Sequence, residues 1–105
     1  IALPGTYICR PVIKGENLYG AAFRSTSDSY PNSGYITFLD KNDRVVSTPG
    51  GSEPIYQNNQ LQEQRKQDPF KVFLHPHDVC IDSNDNIYVP QWASRKTYPI
   101  MLERV

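Results

Sequence analysis

The sequence predicts an all-β chain of short antiparallel strands joined by long loops. Three observations point there. No stretch of roughly 11 to 18 residues carries a sustained helical apolar period. Nine prolines and six glycines interrupt the chain, while seven tyrosines and four phenylalanines supply strand-forming aromatics. A short pattern also recurs: "GENLYG" at residues 15–20 is echoed by "NDNIYV" at 84–89. Each has a polar turn, an Asn, an aliphatic residue and a Tyr, so each reads as strand, tight turn, strand.

The elements follow in order. "YICRPVI" at residues 7–13 is the first strand and residues 17–24 the second, separated by a turn at Gly15 and Glu16. Residues 34–39 and 44–47 form the next pair, around the polar turn Lys41, Asn42 and Asp43. After a long connection, residues 78–82 and 86–92 form a third hairpin through Ser83–Asp85, and residues 98–104 close the list. Four consecutive antiparallel strands followed by three of a next set is the grammar of β-propeller blades. Seven short strands also suit a sandwich, but a sandwich gives no reason to repeat a hairpin with its aromatic in the same place. The small residues Gly20, Ala21 and Ala22 suit a strand against which a neighbouring blade packs closely.

The organisation expected is therefore a blade over residues 1–48, an inter-blade loop over 49–76 and an incomplete blade over 77–105. A loop this long in a compact domain is a surface excursion or a lid. Within it, "LQEQRKQ" has the composition for a turn or two of helix, and "FKVFL" is apolar enough to anchor the loop to the body.

Composition excludes several functions. Eleven basic residues balance eleven acidic ones with no basic stripe, so the footprint of a nucleic-acid binder is missing. No apolar run is long enough for a membrane span. "IALPGTYICR" lacks the charged and apolar regions of a signal peptide, and, with no Met, reads as a processed or cut end of something longer. Cys9 and Cys80 lie in apolar surroundings, "YIC" and "VCI". They read as two buried thiols, with a bridge between them as the alternative.

The richest segment for chemistry is "HPHDVC", residues 75–80, which holds both histidines of the chain. Pro76 ends whatever precedes it, Val79 and Ile81 alternate to one face, and Asp78, Cys80 and Asp82 to the other. Asp78 is suited to accept backbone N–H groups at the start of the strand. Cys80 and His77 lie three apart on a strand and so face opposite ways, which argues against a thiol nucleophile with its base. "DSNDN" at 82–86 is rich in oxygen but lacks the Gly and Glu of an EF-hand loop, and a hairpin turn accounts for it. Trp92 and Tyr98 flank "ASRK" as packing residues or as the frame of a ligand surface.

Residues 75–105 resemble an NHL repeat, with Pro76, Asp78, Val79, Ile81, Asp82, Asn86, Ile87, Tyr88 and Val89 on the pattern. "VPQW" departs from the family's usual Val-x-Asp after the second strand. The resemblance implies antiparallel blades of a propeller, commonly six-bladed, of which this chain would supply about one and three-quarter blades. It implies a binding module for protein, peptide or carbohydrate in an extracytoplasmic compartment, periplasmic or secreted. Its partners would be the remaining blades, from the same or another chain, and a ligand in the central channel. "PHD" at 76–78 is similar to a segment of the peptidylamidoglycolate lyase family. That narrower resemblance implies His77 as a zinc ligand and Asp78 as a calcium ligand, with lyase or hydrolase chemistry at a channel metal as the alternative function. Zinc held by three protein ligands keeps a position open for water or substrate. The family's other zinc-binding histidines belong to other blades, and His75 cannot replace them.

Overall fold

The computed structural model describes residues 2–25 (23–25 by backbone), 34–64, 73, 76–91 and 99–104. Within them the chain is all-β, antiparallel and without helix. Strands β1 (Thr6–Lys14), β2 (Asn17–Ser25), β3 (Tyr35–Leu39) and β4 (Val45–Ser47) form a meander in the order β1-β2-β3-β4. A small hairpin pairs β5 (Tyr56–Gln57) with β6 (Gln60–Leu61). Strands β7 (Cys80–Ile81), β8 (Ile87–Val89) and β9 (Ile100–Leu102) form a second meander.

Each turn has a local cause. Between β1 and β2, Lys14 pairs with Asn17 across a two-residue turn in which Gly15 adopts φ 61°, a region open to glycine because it lacks a Cβ. Between β3 and β4, the Asp40 carboxylate accepts the N–H groups of Asn42 (2.8 Å) and Arg44 (3.1 Å). Asp43 takes φ 61° and donates its N–H to the Asp40 carbonyl. The β7–β8 turn repeats this bond for bond. The Asp82 carboxylate accepts from Asn84 and Asn86, both at 2.9 Å, and Asp85 takes φ 63° and donates to the Asp82 carbonyl. At the level of turn chemistry "DKNDR" therefore matches "DSNDN" more closely than "GENLYG" matches "NDNIYV", because a short carboxylate side chain organises both.

The two meanders share one core. Tyr19, Ala21 and Ile36, with Val12 and Phe38 beside them, meet Val79, Ile87 and Val89, with Ile81, Ile100 and Leu102 beside those, and Phe73 is buried among them. Tyr19 and Phe38 are cross-strand partners whose rings meet edge to face at 4.8 Å. The β2–β3 pairs Gly20↔Thr37 and Ala22↔Tyr35 alternate to the far side of the first sheet. Residues 48–64 cover that side: Tyr35 lies over Gly51, Gln64 N–H bonds the Pro4 carbonyl and Tyr56 Oη accepts the Val45 N–H. Burial pushes the Tyr35 phenol above its ordinary pKa, against the hydrogen bond with the Thr6 hydroxyl, which lowers it. Pro76 seats on Gly34, where a Cβ would stand 2.2 Å from the Pro76 Cδ, so only glycine fits that contact without movement.

Several expectations need correction. Cys9 and Cys80 are not buried; both are exposed free thiols. Cys9 falls at a bulge of edge strand β1, and Cys80 turns outward while Val79 turns in. Apolar neighbours in sequence do not bury a residue whose face of the strand is open. The strand expected at 78–82 shortens to Cys80–Ile81 because Asp78 Oδ1 takes the Val79 N–H at 2.7 Å. The strand expected at 86–92 shortens to Ile87–Val89, followed by Pro90, which has no N–H for the ladder. Residues 98–104 yield only Ile100–Leu102, and Trp92 and Tyr98 lie outside the described residues. The long connection contains a hairpin where the sequence predicts only a loop. Its "QNNQ" turn places Asn58 at φ 52° and Asn59 at φ 61°, the left-handed pair a type I′ hairpin needs. Leu61 lies in that hairpin rather than in a helical turn, and residues 65–67 lie outside the described set. Phe73 of "FKVFL" does reach the core at 1% exposure.

Candidate functional site

The two meanders are joined at one end by charge. Lys14 closes β1, so its side chain projects beside the β7–β8 turn. Its Nζ donates to the Asp82 carbonyl and to Asp85 Oδ1, both at 2.5 Å. Arg104, two residues past β9, holds the other Asp85 oxygen at 3.6 Å. Four residues back along β1, Arg10 reaches Asp78 Oδ2 at 3.4 Å. The Lys14 hydrogen bond and charge, then Arg104, hold the Asp85 carboxyl below the ordinary aspartate range. Burial alone would raise Asp82, but the N–H groups of Asn86 and Asn84, the Asn86 amide and the Tyr88 hydroxyl together hold it low. Donation to that carboxylate pushes Tyr88 above its ordinary value. All these groups face solvent, which screens their attraction.

Beside this cluster, between the sheets, lies a cleft of about 400 Å³. Tyr19, Phe38, Ile87 and Leu102 wall it, and Asp85, Glu103 and Arg104 stand along its rim. Val46, 57% exposed on edge strand β4, lines it as well. Apolar walls with a few charged groups at the mouth are the chemistry of a site that binds by burial and orients by charge. Asp85 is occupied by Lys14 and Arg104, which leaves the exposed Glu103 as the rim's available carboxylate.

The residues singled out from the sequence occupy more modest positions. His77 is exposed and donates its backbone N–H to the Pro90 carbonyl at 3.0 Å. Asp78 accepts from Val79 on one oxygen and from Arg10 on the other, the strand-start role its type suggested. His75 lies outside the described residues. Among the described residues no group of three or more His, Cys, Asp or Glu side chains is placed to hold a metal ion. The described residues bring one imidazole, His77, and one carboxylate, Asp78, which also meets the Arg10 guanidinium; a three-ligand zinc site would draw its other donors from elsewhere. Lys14, Asp85 and Arg104 escaped sequence reading because their meeting depends on how two sheets dock. The spacing of Asp82, Asn84 and Asp85 was the available signal, and it marked the turn rather than its partner.

Among the described residues no helix is long and apolar enough to cross a membrane. No family model, curated protein or solved structure matches the chain.

Proposed function

We propose that the chain is part of an NHL-type β-propeller and serves as a binding module, taking an extended peptide in the cleft between its two sheets. The observation that carries this reading is the docking of hairpin β1–β2 against hairpin β7–β8. Arg10 meets Asp78 and Lys14 meets Asp82, in each case across 68 positions. That is within one residue of the spacing between "GENLYG" and "NDNIYV". Equivalent strands lying side by side in successive sheets is how propeller blades stack. The outer face of the second sheet supports the reading too. Cys80, Tyr88 and Met101 form one cross-strand row there, with Tyr88 37% and Met101 50% exposed. A further sheet, from this or another chain, would cover it.

A peptide suits the cleft because β4 is a sheet edge, the kind of position where an extended segment adds as a further strand, and its exposed Val46 lines the cleft. Its apolar side chains would enter among Phe38, Ile87 and Leu102, and a Lys or Arg would meet Glu103. The test is fluorescence anisotropy with a labelled hexapeptide alternating Leu and Lys, against wild type, Val46→Arg and Glu103→Gln. Binding weakened by about tenfold or more in Val46→Arg is expected, the equivalent of about 1.4 kcal/mol. Absence of binding, or equal binding by Val46→Arg, would overturn the assignment.

A further inference from the structure

A second concavity, of about 860 Å³, lies where the β3–β4 turn faces the β5–β6 hairpin. It shares none of its side chains with the cleft between the sheets. We propose that it is a binding site for a neutral saccharide.

The walls are two turns fixed by their own hydrogen bonds. The Asp40 carboxylate pins Asn42 and Arg44 by their N–H groups, and the Tyr56–Gln57 and Gln60–Leu61 strands pin Asn58 and Asn59. Tyr56 links the two, because its hydroxyl accepts the Val45 N–H at 2.7 Å while Arg44 lies 3.8 Å over its ring. The side chains these turns present are uncommitted. Among the described residues the amides of Asn42, Asn59 and Gln60 and the carboxylate of Asp43 make no hydrogen bond or ion pair. Among the described residues the Arg44 guanidinium has no carboxylate partner, and it stacks on the Tyr56 ring. Asp43 and Asn59 both hold left-handed backbone, φ 61° in each case, as their tight turns require, which fixes where their side chains project.

The ligand class follows from this inventory. Three amides, each both donor and acceptor, a carboxylate that only accepts and a guanidinium that only donates match a molecule whose groups do both. Sugar hydroxyls have that property. Pro4 and Leu61 add apolar surface for the C–H face of a sugar ring. One acid and one base leave the site without net charge, so neither an anionic nor a cationic ligand is favoured. Rigid turns and side chains with no existing bonds to break keep the ordering cost of binding low.

The test is a ¹⁵N–¹H titration of the full chain with maltotriose, cellotriose and N,N′,N″-triacetylchitotriose, and with a heparin tetrasaccharide as charged comparison. At least one neutral trisaccharide should shift residues 42–44 and 56–61. Arg44→Ala and Asn59→Gly, the latter keeping the left-handed turn, should each weaken it by about tenfold, the loss of a charge-assisted or oriented hydrogen bond. Val46→Arg, which blocks the other cleft, should leave it unchanged, so failure of the peptide assignment and failure of this one are distinguishable. Absence of shifts at those residues with all three neutral sugars at about 10 mM, a level at which millimolar sites fill, would overturn the proposal. So would binding of the heparin fragment alone, or affinity unchanged in both variants.

Discussion

Truncating Ile36 tests whether the two sheets share one core. Ile36 has no exposed surface and sits on the face of β3 that meets Val79, Ile87 and Val89. Ile36→Ala removes most of a side chain that both sheets enclose, and such deletions cost about 2–5 kcal/mol from lost burial and the cavity left behind. Ile36→Val removes one methyl and should cost about 0.5–1.5 kcal/mol. Ile55 is 54% exposed, so Ile55→Ala should stay within about 0.5 kcal/mol. A domain of this size has roughly 5–15 kcal/mol in total, so the first change removes a large share. With a urea slope of about 1–3 kcal/mol/M, a loss of about 2 kcal/mol or more should lower the midpoint in Ile36→Ala by at least about 0.7 M, read by far-ultraviolet circular dichroism. The order expected is Ile36→Ala well below Ile36→Val, and Ile36→Val below Ile55→Ala. If Ile36→Ala shifts the midpoint no more than Ile55→Ala, the sheets do not form a common core and the docking described above is wrong.

Other outcomes follow from the same contacts. Asp85 has a folded pKa held below the ordinary 3.8. Its contribution is therefore present above that value and is lost as pH falls through the lower folded one. An NMR titration should find its midpoint below 3.8 in wild type and moved upward in Lys14→Met. Gly34→Ala places a Cβ 2.2 Å from the Pro76 ring. It should destabilise by about 1–3 kcal/mol, and by less when Pro76→Ala is already present, as a double-mutant urea series would show. Elemental analysis of wild type and His77→Ala checks the lyase-like alternative: stoichiometric zinc that disappears in His77→Ala would support it, and equal metal content in both would reduce His77 and Asp78 to a structural turn.

The all-β class was legible because proline, glycine and the absence of helical period act locally. The turns were legible for the same reason, since Asp40 and Asp82 act on N–H groups within four residues. What escaped was set by distant parts of the chain. Exposure of Cys9 and Cys80 depends on which faces of β1 and β7 meet another sheet, which no neighbouring residue encodes. The "QNNQ" hairpin was hidden because its strands have two residues each, too short to show alternation. The cluster of Lys14, Asp85 and Arg104 joins three turns or strand ends, 14, 85 and 104 along the chain, and exists only once the sheets dock. His77 and Asp78 stood out by residue type, yet Asp78 is committed to Val79 and Arg10.

The central claim is that the outer face of the second sheet is a blade face, covered by further β-structure in the native molecule. The thiol of Cys80 reports on it directly, because it lies in one row with Tyr88 and Met101 on that face and is exposed in this chain. The measurement is the rate of alkylation at Cys80, resolved from Cys9 by peptide mass spectrometry, in the native molecule and in the same molecule unfolded in urea. Stacking predicts slow labelling of native Cys80, at least about tenfold slower than in the unfolded chain, since opening the interface costs free energy. Native Cys80 reacting as fast as unfolded Cys80 would mean that nothing covers the face, and would contradict the propeller assignment.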